Sequence, residues 1–166
     1  MKLVQLTLAM IISAMNMSCN QSIENMNNTA DEQTPIFSKG EIGSNDFFTG
    51  NAYPTALVAA DSVYNTLVGN VYFEPGARSH WHSHPTGQIL IITGGTGYHQ
   101  IEGSPIQIIK KGDVVKCPPN VKHWHGASAD AGLHQLYVIP GADKGIVTWN
   151  EAVTDEQYSI NTSNKE

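Results

Sequence analysis

Short apolar runs separated by turn-forming residues dominate residues 67–139 of the chain. The runs lie at residues 67–73, 88–93, 98–102, 106–109, 114–117 and 133–139. Between them stand clusters rich in Gly, Pro, Asn and Asp, at 74–76, 94–97, 103–105, 110–113 and 118–120. Many short strands at regular spacing with such turns predict an all-β sandwich or barrel. The only helical expectation is a short helix within residues 149–158.

The N-terminus has the composition of a secretory signal. Lys2 precedes an apolar stretch over residues 3–15 that is too short to span a bilayer. Ser18-Cys19 then stands where a lipoprotein signal has its small residue and its cysteine. We therefore expect a signal peptide over residues 1–19, lipidation of Cys19, and a place in the periplasm or cell envelope with the lipid anchor as the only membrane contact. A plain secretory signal cut nearby is the alternative.

Length and composition limit the organisation of the mature chain. A chain of 166 residues has room for one domain, which we expect over residues 46–158 between a flexible polar tether at 20–45 and a disordered tail at 159–166. The formal net charge is -6 and there is no basic run, so nucleic acid is not an expected partner. With Cys19 lipidated, Cys117 has no disulfide partner, and its apolar surroundings favour a small buried hydrophobe.

Histidine is concentrated in two clusters with alternate spacing. Five of the seven histidines fall in HWHSH at 80–84 and HWH at 123–125. Successive side chains of a strand point to opposite faces, so His82 and His84 should emerge on one face, with the tryptophans between the histidines facing away. A turn at 85–87 brings Gln88 toward the same point, and His123 arrives from a later strand.

Three imidazoles and one amide oxygen, from His82, His84, His123 and Gln88, form a suitable donor set for a divalent metal ion. Imidazole suits Zn, Cu, Fe and Ni and, with oxygen donors, Mn. Coordination positions left open to water would make such a site competent for chemistry. His99 follows a turn and is expected at the surface or rim rather than among the ligands.

Two segments resemble the sequence motifs of the cupin family. They are GARSHWHSHPTGQ at 76–88 with GGTG at 94–97, and the stretch from Gly112 through Pro118 to His125. The general cupin pattern has Glu at the position of Gln88, and a neutral amide there leaves the ion its full positive charge. With FEPGAR at 73–78, KHWHGA at 122–127 and VTDEQY at 153–158, the chain is similar over about 45–158 to bacterial manganese-dependent cupin hydroxynitrile lyases.

This resemblance implies a fold, a cofactor and roles for single residues. The implied fold is a cupin β-barrel, a double-stranded β-helix of jelly-roll type, and the implied ion is Mn²⁺, with Fe²⁺, Zn²⁺ or Ni²⁺ as substitutes. The metal ligands of the family fall on His82, His84, Gln88 and His123. His134 matches the catalytic base, His125 a second histidine of the pocket, and Ser79 a hydroxyl residue that contacts substrate. His80 departs from the small residue of the family. Relatives often form dimers, so a homodimer or higher homo-oligomer is expected.

The implied activity is reversible cleavage of a cyanohydrin into an aldehyde and hydrogen cyanide. Two alternatives stay open at this point. Because one fold hosts many chemistries, the chain could be a metal-dependent oxygenase, isomerase or decarboxylase of a small carbonyl or hydroxy compound. A non-catalytic cupin that binds a small ligand or metal at the cell surface is the other alternative.

Overall fold

The computed structural model describes residues 35–159, which contain eleven strands and one short α-helix. The strands are β1 (Phe48–Thr49), β2 (Ala52–Val58), β3 (Thr66–Phe73), β4 (Arg78–Ser79), β5 (His82–Ser83), β6 (Gln88–Ile101), β7 (Gln107–Lys110), β8 (Val114–Cys117), β9 (His123–Ala127), β10 (Leu133–Pro140) and β11 (Thr148–Trp149). A 3₁₀ helix at Ala142–Lys144 precedes β11, and α1 covers Asp155–Tyr158. The expected signal peptide, Cys19 and residues 160–166 lie outside the described residues.

The strands pair antiparallel into one strongly curved sheet. Its main order is β1-β4-β9-β6-β10-β3-β2. The long strand β6 belongs to both sides of the barrel, since its first half pairs with β8 and β10 and its second half with β7 and β9. The predicted all-β barrel is therefore confirmed. No helix among residues 35–159 is long and apolar enough to cross a membrane.

Residues 94–97 join the two halves of β6 instead of forming the turn that the sequence predicted. Gly95 has a φ of +77°, and a Cβ atom at this position would lie 1.8 Å from the carbonyl oxygen of Gly132. Only glycine fits such a close approach of two backbones with a positive φ. The glycine-rich segment thus bends one continuous strand from one side of the barrel to the other.

Two apolar clusters lie on opposite sides of the sheet. The barrel interior holds Phe48, Val71, Phe73, Leu90, Ile92, Ile109, Val115, Cys117 and Leu133, among others. The second cluster packs Trp81 and Trp124 against Val153, with the two indole rings 6.5 Å apart and nearly perpendicular. The tryptophans therefore face away from the histidines, as the alternation predicted, and Cys117 is a buried residue of the core.

The segment after β10 is fastened to the barrel by Arg78. This buried side chain donates hydrogen bonds to the carbonyl oxygen of Val153 (3.0 Å) and to Asp155 (2.7 Å). The predicted helix at 149–158 is shorter than expected: it begins at Asp155, because a Thr154–Gln157 capping box fixes its start. Residues 148–149 instead form β11, which pairs with β5 and so places Trp149 opposite His82.

Residues before position 46 also contact the barrel. The Nζ atom of Lys39 donates to Glu74 at 3.0 Å, and the backbone N–H of Gly43 donates to the carbonyl oxygen of Ala52 at 2.8 Å. The last residues of the expected tether are therefore packed along β2 and the end of β3.

Candidate metal centre

The structure brings the four expected metal ligands together inside the barrel. His82 on β5 is directly paired with His123 on β9, and their ring centroids lie 4.4 Å apart. The ring of His84 lies 5.2 Å from that of His82 and 5.5 Å from that of His123. Gln88, the first residue of β6, points its Oε1 atom to within 3.2 Å of His123 Nε2. All four side chains are buried.

Backbone carbonyl groups orient three of these imidazoles in the same way. Nδ1 of His82 lies 2.8 Å from the oxygen of His80, and Nδ1 of His123 lies 2.9 Å from that of Val121. Nδ1 of His84 lies 2.5 Å from the oxygen of Ile146. A carbonyl oxygen only accepts hydrogen bonds, so each neutral ring carries its proton on Nδ1 and its lone pair on Nε2. This is the arrangement in which metal-bound histidines are usually held.

The unpaired atoms at the centre fit a cation. His123 Nε2 carries a lone pair and lies 3.2 Å from Gln88 Oε1, which is also an acceptor. Two acceptors at this distance repel each other unless a positive charge lies beside them. The Nε2 atom of His84 is buried and has no hydrogen-bond partner. A buried acceptor without a partner carries a desolvation cost that a bound ion removes. The donor set of three nitrogens and one amide oxygen suits a divalent transition metal.

His125 forms a further corner of the same cluster. Ring nitrogens of His82, His123 and His125 lie within 4.8 Å of one another, so distance alone also allows this second set of three histidines to hold a metal. The environment of His125 differs, however, because its Nδ1 contacts the side-chain amide of Gln135 at 2.8 Å instead of a carbonyl group. Its Nε2 atom is buried without a partner.

Burial keeps the clustered imidazoles neutral. Desolvation lowers the pKa of His123 to about 4 and holds the pKa values of His82 and His125 well below their ordinary value of 6.5. The proximity of the other rings lowers the pKa values further, since each charged imidazole would repel the next. Neutral rings are the form that binds metal, so no proton has to be removed near neutral pH.

A cavity of about 290 Å³ opens above the cluster. Its floor is polar and consists of Ser79, His82, His84, Gln88 and His125. Its walls are mostly apolar and aromatic side chains, including Phe48, Val71, Tyr137, Ile139 and Trp149. Ser79 is fully buried, and its hydroxyl accepts a hydrogen bond from the backbone N–H of His125 at 3.1 Å. Its own proton remains free to be donated.

His134 does not join this site. On β10 the interior positions are Leu133 and Gln135, both fully buried, so the intervening His134 points to the opposite face. Its half-buried ring stacks on Tyr72 with centroids 4.3 Å apart and lines a separate outer cavity of about 580 Å³. The expected role of His134 as a base at the metal is therefore corrected, because a wall of the barrel separates it from the cluster.

Two other histidines also have locations that the sequence left open or placed differently. His80 is half-buried and is absent from the cavity lining; its backbone oxygen holds His82. His99, expected at the surface, is buried: its ring lies 5.8 Å from that of His123 and its Nε2 3.4 Å from the Cys117 sulfur. Burial raises the pKa of that thiol to about 12, so Cys117 is protonated in the metal-free chain.

Comparison with known proteins identifies the family. Residues 69–139 match the cupin domain. The chain is 44% identical over 116 residues to an (R)-mandelonitrile lyase of Granulicella tundricola, an alignment covering 70% of this chain and 88% of the relative. The chain therefore belongs to the cupin family, and it resembles that lyase in particular.

Solved structures agree with this assignment. A cupin-like protein of Thermotoga maritima is 52% identical, with a TM-score of 0.74, over 75% of this chain and 95% of that protein. The DMSP lyase DddQ of Ruegeria pomeroyi is 22% identical, with a TM-score of 0.53, over 60% of this chain and 51% of that protein. The second likeness concerns the fold alone. The cupin domain and the relative named as a lyase suggest that this chain is an enzyme.

Proposed function

We propose that this protein is a metal-dependent hydroxynitrile lyase, which reversibly cleaves a cyanohydrin into an aldehyde and hydrogen cyanide. The observation that carries the proposal is the acceptor cluster on the cavity floor, where Gln88 Oε1 faces His123 Nε2 and the Nε2 atom of His84 has no partner. The substrate class is supported by the 44% identity to a mandelonitrile lyase that the alignment spans for 88% of its length.

The shape and polarity of the cavity suit such a substrate. A cyanohydrin has an apolar substituent at one end and a hydroxyl and a nitrile group at the other. Val71, Tyr137 and Ile139 offer an apolar wall for the substituent, while Ser79 and His125 offer polar atoms on the floor. Ligand sites commonly combine apolar walls with a few polar groups that fix orientation. The substrate would then lie with its reacting carbon toward the histidines.

His82, His84, Gln88 and His123 are the residues that would hold the metal, with Mn²⁺ as the ion we propose. When bound, a divalent ion supplies Lewis acidity that stabilises negative charge on the substrate oxygen. The neutral Gln88 amide does not offset that charge as a carboxylate would. The three backbone carbonyl contacts keep the imidazoles from turning, so the donors are prepared before the ion arrives.

In the reaction, the bond between the carbinol carbon and the nitrile carbon breaks and its electron pair leaves with cyanide. The hydroxyl proton is released, and cyanide takes up a proton to give hydrogen cyanide. His125 is the cavity histidine with an unpartnered Nε2 that lies beside the expected ligands without belonging to them. It could accept the hydroxyl proton through a lone pair, or donate a hydrogen bond to departing cyanide. These two roles require opposite tautomers of the ring.

The cellular setting is part of the proposal. We propose that the protein acts on a small molecule in the periplasm or cell envelope, tethered through Cys19, and that copies of the barrel associate as dimers or larger homo-oligomers. Mass spectrometry of the membrane fraction would test the anchor, because lipidation adds acyl mass to a peptide that begins at Cys19. A soluble mature chain cut elsewhere would contradict it.

Metal analysis combined with an activity assay tests the catalytic proposal. The purified protein should retain close to one transition-metal ion per chain and, after loading with Mn²⁺, should release benzaldehyde from mandelonitrile. Chains stripped with a chelator and reloaded with Fe²⁺ or Zn²⁺ compare the ions directly. Full metal occupancy without turnover of any cyanohydrin would contradict the reaction, and oxygen consumption by the iron form would favour an oxygenase instead.

Two variants provide the matched control. His84→Ala should lose both metal and activity, because it removes one donor of the cluster. His134→Ala should keep both, because that ring lies on the other side of the barrel wall. If the His134 variant lost activity while retaining metal and fold, the assignment of the reaction to the inner cavity would be wrong.

A further inference from the structure

One buried polar side chain of β10 is neither an expected metal ligand nor part of the cavity lining. Gln135 on β10 is completely buried, yet only its amide nitrogen has a partner, the Nδ1 atom of His125 at 2.8 Å. Its Oε1 atom is buried without a hydrogen bond. The register places this amide opposite Val71 on β3 and Ile92 on β6, and burying it there carries a desolvation cost that its one hydrogen bond only partly offsets.

The amide distinguishes His125 from the other histidines of the cluster. The rings of His82, His84 and His123 each face a backbone carbonyl and must carry their proton on Nδ1. The amide nitrogen of Gln135 is a donor, so His125 accepts at Nδ1 and a neutral ring then carries its proton on Nε2. His125 therefore has the opposite tautomer from its three neighbours.

The reverse orientation of the Gln135 amide is less favourable. It would satisfy Oε1 with the imidazole but leave both hydrogens of the buried amide nitrogen without partners. The observed orientation pairs one of those hydrogens and leaves the other hydrogen and Oε1 unpaired. The remaining unpaired donor of the observed arrangement, His125 Nε2–H, belongs to a residue of the cavity lining and can donate to a ligand, whereas Gln135 is not part of that lining and its hydrogens cannot.

We propose that Gln135 is a positioning residue that holds His125 as the Nε2–H tautomer, which makes His125 a hydrogen-bond donor to the bound ligand and not a metal ligand. His125 lines the cavity, and with Nδ1 bonded to Gln135 its unpartnered Nε2 is the ring nitrogen that is left to donate a proton to a ligand. An N–H group in this position cannot bind a cation, so the metal is left to His82, His84, Gln88 and His123.

This assignment deepens the proposed function and rests on it only for the identity of the ligand. In a cyanohydrin reaction the Nε2–H group would donate to the nitrile nitrogen as negative charge develops on cyanide, while solvent takes up the hydroxyl proton and returns a proton to cyanide to give hydrogen cyanide. Preorganised donors aimed at developing charge stabilise transition states strongly. The tautomer itself is a property of the folded chain without metal or substrate.

Nitrogen NMR of the imidazole rings tests the tautomer directly. The metal-free ¹⁵N-labelled protein near neutral pH should show protonated Nδ1 in His82, His84 and His123 and protonated Nε2 in His125. The signals of His125 are identified by their loss in a His125→Gln variant. Protonated Nδ1 with unprotonated Nε2 in His125 of the unmodified chain would overturn the proposal, whatever the enzyme turns over.

Two substitutions of Gln135 separate positioning from simple packing. Gln135→Glu offers only acceptors to Nδ1 and should shift the proton of His125 onto Nδ1. Gln135→Met keeps a similar volume without a hydrogen bond and should leave His125 as a mixture of tautomers. The unchanged Nδ1–H signals of the other three rings report that each variant is folded. An unaltered Nε2–H signal of His125 in a folded Met variant would contradict the role of Gln135.

Metal binding gives an independent readout. His125→Gln should retain the metal stoichiometry of the unmodified chain, whereas His84→Ala should lose it. If His125→Gln loses the metal while its circular dichroism spectrum is unchanged, His125 is a ligand and the inference fails. Absence of cyanohydrin turnover in every form would remove the proposed reaction but leave the tautomer and metal results as they stand.

Discussion

Acidification should destabilise the metal-free protein steeply between pH 6.5 and pH 4. The perturbation acts on buried histidines, of which His123 is the clearest case because it is fully buried and its pKa is lowered to about 4. Between these two pH values an unfolded chain takes up a proton on this residue, while the folded chain does not. Because the unfolded state then binds more protons, stability falls as the pH falls.

The magnitude follows from the two pKa values. An ordinary pKa of 6.5 and a folded pKa of about 4 differ by about 2.5, and each pKa unit corresponds to about 1.4 kcal/mol. His123 alone should therefore cost about 3 kcal/mol of unfolding free energy at pH 4 relative to pH 7. His99, whose pKa burial also lowers to about 4, should cost about as much. Domains of this size are stable by only about 5–15 kcal/mol.

Urea denaturation at a series of pH values measures this effect. Trp81 and Trp124 are buried and provide the fluorescence signal. The urea midpoint should be constant above pH 7 and fall continuously below pH 6.5. In a His123→Gln variant, the unfolding free energy should fall by about 3 kcal/mol less between pH 7 and pH 4 than in the unmodified chain. A midpoint that is the same at pH 7 and pH 4.5 would refute the argument that these imidazoles are buried in neutral form.

Three further substitutions test other parts of the structure. Leu133→Ala removes a fully buried side chain from the barrel core and should lower the unfolding free energy by about 3 kcal/mol in urea denaturation. Tyr158→Phe removes the 2.8 Å hydrogen bond to the carbonyl oxygen of Ala127 and should cost about 1 kcal/mol in the same assay. Trp149→Ala removes a cavity wall whose ring lies 4.9 Å from that of His82, so KM for mandelonitrile should rise while metal content stays constant; a loss of metal would show that Trp149 supports the ligands instead.

Much of the barrel and the convergence of the expected ligands could be predicted from local patterns. Alternation within 80–84 and 123–125 separates histidines from tryptophans, and the structure shows that the two sets do face opposite sides of the sheet. Turn-forming residues placed most strand ends correctly. The glycine-rich segment at 94–97 was the exception, because its need for glycine comes from the carbonyl oxygen of Gly132, which lies far away in sequence.

The face of β10 could not be predicted because both faces of this strand carry mixed residues. Leu133, Gln135, Tyr137 and Ile139 alternate with His134, Leu136 and Val138, so neither set is distinctly more polar. A register shift between His134 and Gln135 in the pairing with β6 adds a further local irregularity. The sequence signal that could have identified Gln135 is its place between two apolar interior positions, a weak one beside a neighbouring histidine.

The reliance of three imidazoles on main-chain oxygens has a consequence for how this barrel tolerates change. The supporting atoms belong to residues 80, 121 and 146, and a carbonyl oxygen stays in place when the side chain of its residue is exchanged. Random substitutions at these three positions, other than to proline or glycine, should therefore leave the histidines in place. Laboratory evolution can vary the side chain of Ile146, which lines the cavity, without loosening His84, whereas Gln135 supports its histidine through a side chain and has no such latitude.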